Sequence, residues 1–96
     1  MTVYIIAQLK FKKRELYDRY SARFPAVFEK FKGMLLVSDE HPVVLDGQWD
    51  RDKVVIMSFL DEAAAREFST SLEYGEIAED RIAGADALSL MVKGLK

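Results

Sequence analysis

The segment Lys53–Phe59, KVVIMSF, constrains the chain more than any other. It is rich in β-branched and aromatic residues with no breaker, which marks a strand. Successive strand residues face opposite sides of a sheet. Val55, Met57 and Phe59 therefore point one way, and Val54, Ile56 and Ser58 the other. Both sets are largely apolar. A strand buried on both faces needs a covering layer on each side of its sheet, and a chain of 96 residues has few elements to supply two layers.

The other elements follow from the same kind of pattern. Residues 2–9 and 34–40 read as strands, and 43–46 as a possible continuation beyond Pro42, which cannot donate to a ladder. Residues 47–52 form a turn. Residues 13–31 read as a helix in which Leu16, Tyr20, Phe24, Val27, Phe28 and Phe31 recur at helical spacing. Pro25 is expected to kink or divide it, and Gly33 suits its end. Asp61 is a good N-cap for a second helix. That helix carries Ala64, Ala65, Phe68 and Leu72 and continues through Tyr74, Ile77, Ala78 and Ile82, with a bend expected at Gly75 and a cap at Gly84. Residues 86–94 read as the last strand. The order β-α-β-β-α-β is the split βαβ, or ferredoxin-like, arrangement: an α+β domain spanning 1–96, with a four-stranded antiparallel sheet and two helices on one face.

Sorting each strand by parity separates two faces. One holds Val3, Ile5, Ala7, Leu9, Leu35, Val37, Val55, Met57, Phe59, Leu88, Leu90 and Val92, and is wholly apolar. The other holds Tyr4, Ile6, Gln8, Met34, Leu36, Ser38, Val54, Ile56, Ser58, Ala87, Ser89 and Met91. The first set is assigned to the helices. The second is too apolar to face water on a monomer, so a second copy packed sheet to sheet is the expected cover. A bulge would swap the faces beyond it.

Composition excludes several classes. The formal net charge of -2 argues against a nucleic-acid footprint. With no Cys and one His, disulfides, thiolate zinc sites, iron–sulfur clusters and a His-rich metal site fall away; no metal and no cofactor are expected. No apolar run reaches the ~20 residues of a membrane helix, and the N-terminus lacks the features of a secretory signal, so membrane association is not expected and the cytoplasm is the default location. No G-x-S-x-G, phosphate loop or G-x-G-x-x-G occurs.

Four segments, VLDGQW (44–49), KVVIMSF (53–59), SLEY (71–74) and ADALSLMVKG (85–94), together resemble the DUF1330 family of the dimeric α+β barrel superfamily. The resemblance spans nearly the whole chain and implies the same sheet-to-sheet dimer. It also implies cousins among cofactor-free monooxygenases, small isomerases and haem enzymes. The chain departs from the family pattern at Lys12 and Lys13, where an acidic or Pro helix start is usual, at Asp39 and Glu40, where glycines are usual, and at Leu72, where the motif often has Pro.

His41 is the one side chain whose unperturbed pKa lies near neutrality. It is the candidate general base, with Asp39 or Glu40 as orienting partner, against the plainer reading of a surface loop residue. Trp49 beside a Gly turn is a candidate pocket or interface aromatic. Tyr20 and Phe24 on the first helix, and Tyr74 and Arg81 two turns apart on the second, are candidate substrate-binding residues, with Arg81 suited to a carboxylate; core packing and a surface ion pair are the competing readings. Lys10, Lys12, Lys13 and Arg14 at a helix start oppose the helix dipole and offer an anion site, or else a solvated charge run. Haem would need an axial ligand, for which His41 is the sole imidazole. The expected protein is a small homodimer binding a small apolar or aromatic molecule. A cofactor-independent monooxygenase or isomerase acting on a small aromatic substrate is the alternative, and the sequence leaves open whether there is catalysis.

Overall fold

A computed structural model describes residues 1–96. The elements are β1 (Val3–Phe11), α1 (Arg14–Phe28), β2 (Gly33–Asp39), β3 (Lys53–Phe59), α2 (Glu62–Ser69), α3 (Leu72–Gly84) and β4 (Ala85–Lys93). The strands form one sheet in the order β2-β3-β1-β4, with antiparallel neighbours throughout. This is the ferredoxin-like arrangement, with the second helix divided in two.

The division falls at Thr70–Ser71 and not at Gly75. Thr70 Oγ1 donates to the Arg66 carbonyl at 2.7 Å, and the Ser71 hydroxyl accepts from the Tyr74 N–H at 3.1 Å. Two hydroxyls thus end one helix and cap the next, leaving Gly75 inside α3. Asp61 caps α2 as its position suggested, accepting from the Ala64 N–H at 2.8 Å. Pro25 lies within α1, which ends three residues later at Phe28. Gly33 opens β2 instead of capping α1. A Cβ there would meet the Phe28 and Phe59 rings at 2.7 Å, so glycine lets the aromatic packing close over the strand. Residues 43–46 are a loop, not a strand.

The register corrects the parity sorting at two places. Directly paired residues of antiparallel strands share a face. Ile5 pairs with Met91 and Ala7 with Ser89, so β4 turns Ala87, Ser89 and Met91 toward the helices and Leu88, Leu90 and Val92 away from them. In β2 the register shifts between Leu35 and Val37. Leu35 pairs with Met57 on the helix side, but beyond the bulge Val37 pairs with Ile56 on the open side and Ser38 with Val55 on the helix side. One extra residue changes the face of everything after it.

The helix side holds two buried clusters at opposite ends of β1. Val3, Met57, Phe59, Ala65 and Phe68 form one, with Phe24, Phe28 and Phe31 packed against it. Leu9, Tyr17, Tyr20, Ile77 and Ala85 form the other. The second is tightened at Gly84, where a Cβ would meet the Tyr17 backbone nitrogen at 2.6 Å. No helix covers the open side, and only the loop around Trp49 lies over part of it, near Gln8 and Val54. Leu88 and Leu90 are 46% and 49% exposed there, and Met34 is 65% exposed. No helix is long and apolar enough to cross a membrane.

Candidate functional site

Between the two clusters the sheet floor is built of small residues. One row across all four strands reads Ser38, Val55, Ala7 and Ser89. The adjoining rows are larger: Leu35, Met57, Ile5 and Met91 on one side, and Lys53 and Leu9 on the other. Helices cannot sink into the low row, because the flanking side chains hold them off. A cleft of about 490 Å3 results, lined mostly by apolar side chains. That volume lies in the range of about 300–1,000 Å3 usual for small-molecule sites. It is open along the sheet edges, where Leu35 and Ser38 on β2 and Ser89 and Met91 on β4 stay exposed.

The roof is an aromatic ladder on α1. Tyr17, Tyr20, Phe24 and Phe28 follow one another at helical spacing, with successive ring centroids 5.6, 5.8 and 5.0 Å apart. Such pairs add about 0.5–1.5 kcal/mol each beyond area burial. Phe68 of α2 meets Phe24 edge-on at 6.0 Å. Tyr74 of α3 lies 4.6 Å from Phe68, and its hydroxyl is 3.1 Å from that of Tyr20. Either phenol can donate in this pair.

The cleft's polar inventory is short. Burial pushes the Tyr17 phenol up to about 12, with the nearby Glu40 carboxylate adding to the effect. Burial raises Tyr20 further, and Tyr74 reinforces it. Both phenols are therefore protonated through the neutral range. Lys53 is 6% exposed, its ammonium 4.8 Å over the Tyr17 ring, and desolvation lowers its pKa. Arg81 projects from α3 into the same space, and its Nε is buried with no hydrogen-bond partner.

The cleft thus brings together Tyr20, Phe24, Tyr74 and Arg81 from α1 and α3. The other two candidates lie elsewhere. His41 is exposed on the turn after β2, its backbone N–H donating to Asp39 Oδ1 at 2.8 Å, and it does not line the cleft. Trp49 sits over the open face of the sheet, its Nε1–H donating to Gln8 Oε1 at 3.0 Å, beside Pro42, Val43, Val44 and Leu45. The basic cluster at the start of α1 is largely satisfied internally. Arg14 grips Glu40 through two bonds of 2.9 Å, Lys12 pairs with Asp86, and Lys10 donates to the Asp50 carbonyl. The Lys12 and Lys13 N–H groups both donate to the Gly84 carbonyl, which ties the start of α1 to the end of α3. Sequence reasoning missed Lys53, although alternation places it in one column with Val55, Met57 and Phe59. It also missed the low row, whose members lie on four separate strands.

A ferredoxin-like α+β protein with a cleft between its helices and its sheet is the class these features define. The chain belongs to the family described as Domain of unknown function (DUF1330), whose sequence pattern matches residues 2–95. Among solved structures it is similar to a protein of unknown function from Rhodopseudomonas palustris, with 21% identity, a TM-score of 0.82, and 99% of this chain and 83% of that chain covered. A dimeric ferredoxin-like protein of unknown function from Jannaschia sp. CCS1 aligns with 12% identity, a TM-score of 0.81, and 98% and 100% coverage. SnoaB, a cofactor-independent oxygenase from Streptomyces nogalater, aligns with 13% identity, a TM-score of 0.69, and 99% and 94% coverage. At these identities the likeness is one of fold. No curated protein matches the chain in sequence.

Proposed function

We propose that the protein is a homodimer that binds one small apolar or aromatic molecule per subunit in the cleft between helices and sheet. The observation that carries the binding half is the low row of Ser38, Val55, Ala7 and Ser89 beneath an aromatic roof. Close packing is the rule in protein interiors, so an apolar cleft kept open by the choice of small residues on four strands is a feature of the fold and not slack. Tyr20, Phe24 and Tyr74 supply ring faces to the ligand, and Arg81 a charged end.

The dimer half rests on the open face. The register adds Leu88, Leu90 and Val92 to Tyr4, Ile6, Val54 and Ile56 there, making the uncovered side more apolar than parity alone suggested. Exposed Val43 and Leu45 extend it, with Trp49 fixed over Gln8 between loop and sheet. A second copy covers such a surface by two-fold symmetry, and the Jannaschia neighbour is described as dimeric. The fold likeness to SnoaB offers cofactor-independent oxygenation as a second reading. A substrate in the cleft would then have the Tyr20–Tyr74 phenol pair as proton donors, since His41 lies outside.

Titrating the purified protein with naphthalene-type compounds, followed by amide chemical shifts, tests the binding reading. Shifts confined to Ala7, Val55, Ser89, Tyr20 and Tyr74 support it. No shift up to millimolar compound, or shifts on the open face, would refute it.

A further inference from the structure

We infer that the natural ligand carries a carboxylate, held between Lys53 and Arg81 with its apolar body under the α1 rings. The inference rests on the cleft being a ligand site, as proposed above.

The cleft lining includes two cations, Lys53 and Arg81, and no acidic residue. Neither takes part in an ion pair, whereas Lys12, Arg14, Arg19, Arg23 and Arg66 all do. The nearby carboxylates are committed elsewhere. Glu40 and Asp18 are both bonded to Arg14, at 2.9 and 2.8 Å. Asp80, next to Arg81 in sequence, accepts from Arg19 at 2.6 and 2.7 Å. A charge removed from water is costly unless it is paired. Lys53 lies on a central strand among apolar neighbours, and the buried Arg81 Nε has a free donor. An anion entering from solvent would relieve both at once.

The two cations also line the ligand space from different layers, one from the sheet and one from α3. The Lys53 ammonium stands 4.8 Å over the Tyr17 ring, and Arg81 lines the same cleft as Tyr17 and Tyr20. The rest of the lining is aromatic and aliphatic. A small inorganic anion would leave that surface unused, so the matching chemistry is an organic acid with a ring or short aliphatic body. Guanidinium suits a carboxylate because its planar fork offers parallel donors.

The test compares naphthoate with naphthamide, which has a similar shape and no charge, by calorimetry at fixed ionic strength. The wild-type protein is expected to bind naphthoate about 10- to 100-fold more tightly, the range for hydrogen bonds to charged groups. In Lys53→Met and Arg81→Met that preference should shrink, while naphthamide affinity changes little. Equal binding of the two compounds by the wild-type protein would overturn the carboxylate inference and leave the cleft as a neutral-ligand site. Binding of neither compound would overturn the site reading, and the carboxylate inference with it. The wild-type comparison stands even if a variant fails to fold.

Discussion

On the helix side of the sheet, Phe28, Phe59 and Phe68 interlock with ring centroids 5.3 to 6.0 Å apart, and the space that remains is a shaped cleft. On the other side, Ile6, Ile56 and Leu90 lie in register on three adjacent strands with nothing above them. The same four strands thus present one surface covered within the chain and one left uncovered by its helices. The two faces differ in residue size as much as in polarity. The helix side mixes large flanks with a small middle row, while the open side carries broad aliphatic residues along three strands. A size gradient makes a pocket, and a broad, mainly aliphatic surface makes a contact face. That contrast can be broken at either face.

The largest effect is expected at the filled end. Phe68 is 2% exposed and packs against five other aromatic rings, those of Phe24, Phe28, Phe31, Phe59 and Tyr74. Phe68→Ala should lower unfolding free energy by about 3–5 kcal/mol, measured by urea denaturation. A loss under 1 kcal/mol would show that the aromatic cluster is not where stability resides.

On the open face, Ile56→Lys should weaken dimerisation by more than about 100-fold, since two-fold symmetry carries two ammonium groups into the contact and each costs several kcal/mol to desolvate unpaired. Circular dichroism should stay unchanged, because no helix touches that side. Unaltered association would place the contact elsewhere.

The tyrosines of the cleft give a smaller, pH-dependent effect. Tyr17 titrates near 12 in the native chain, against about 10 when unfolded. Between these values the unfolded state loses its proton first, so stability falls as pH rises from 10 to 12 and is unaffected below. Alkaline unfolding followed together with phenolate absorbance checks this; a flat stability profile across that interval contradicts it. Tyr20→Phe removes the bond to the Tyr74 hydroxyl and should cost about 0.5–1.5 kcal/mol.

The smallest expected change has the opposite sign. Ala7→Leu projects into the cleft from the middle row. It should abolish ligand binding while leaving stability within about 1 kcal/mol of wild type, or raising it, as cavity filling often does. The same insertion in a packed core costs about 1–3 kcal/mol. A cost of that size would mean the low row is packed and not open.

The strands and helices were readable because KVVIMSF, the first-helix ladder and the Asp61 cap each carry a local signal. The faces were readable only in part. Residues 87–92, ALSLMV, are apolar at both parities, and sorting by apolarity alone sends Leu88, Leu90 and Val92 to the helices. Pairing reverses this, because the helix side of β4 borders the cleft and carries Ala87 and Ser89 there. The bulge at Leu36 has no glycine or proline to announce it. Helical spacing made Tyr20 and Phe24 legible as one stripe and Tyr74 and Arg81 as another, but did not show that the two stripes line one cleft. The floor was not legible, since its members come together only through the register. Lys53 was the overlooked clue: a lysine in the apolar column of a central strand.

The proposed dimer requires the open face to meet a second copy, and solution mass tests that most directly. Light scattering across a dilution series should give twice the chain mass at every concentration above the dissociation constant, and the chain mass for Ile56→Lys. A wild-type protein that stays monomeric throughout would contradict it, leaving Tyr4, Ile6, Ile56 and Leu90 to a different partner.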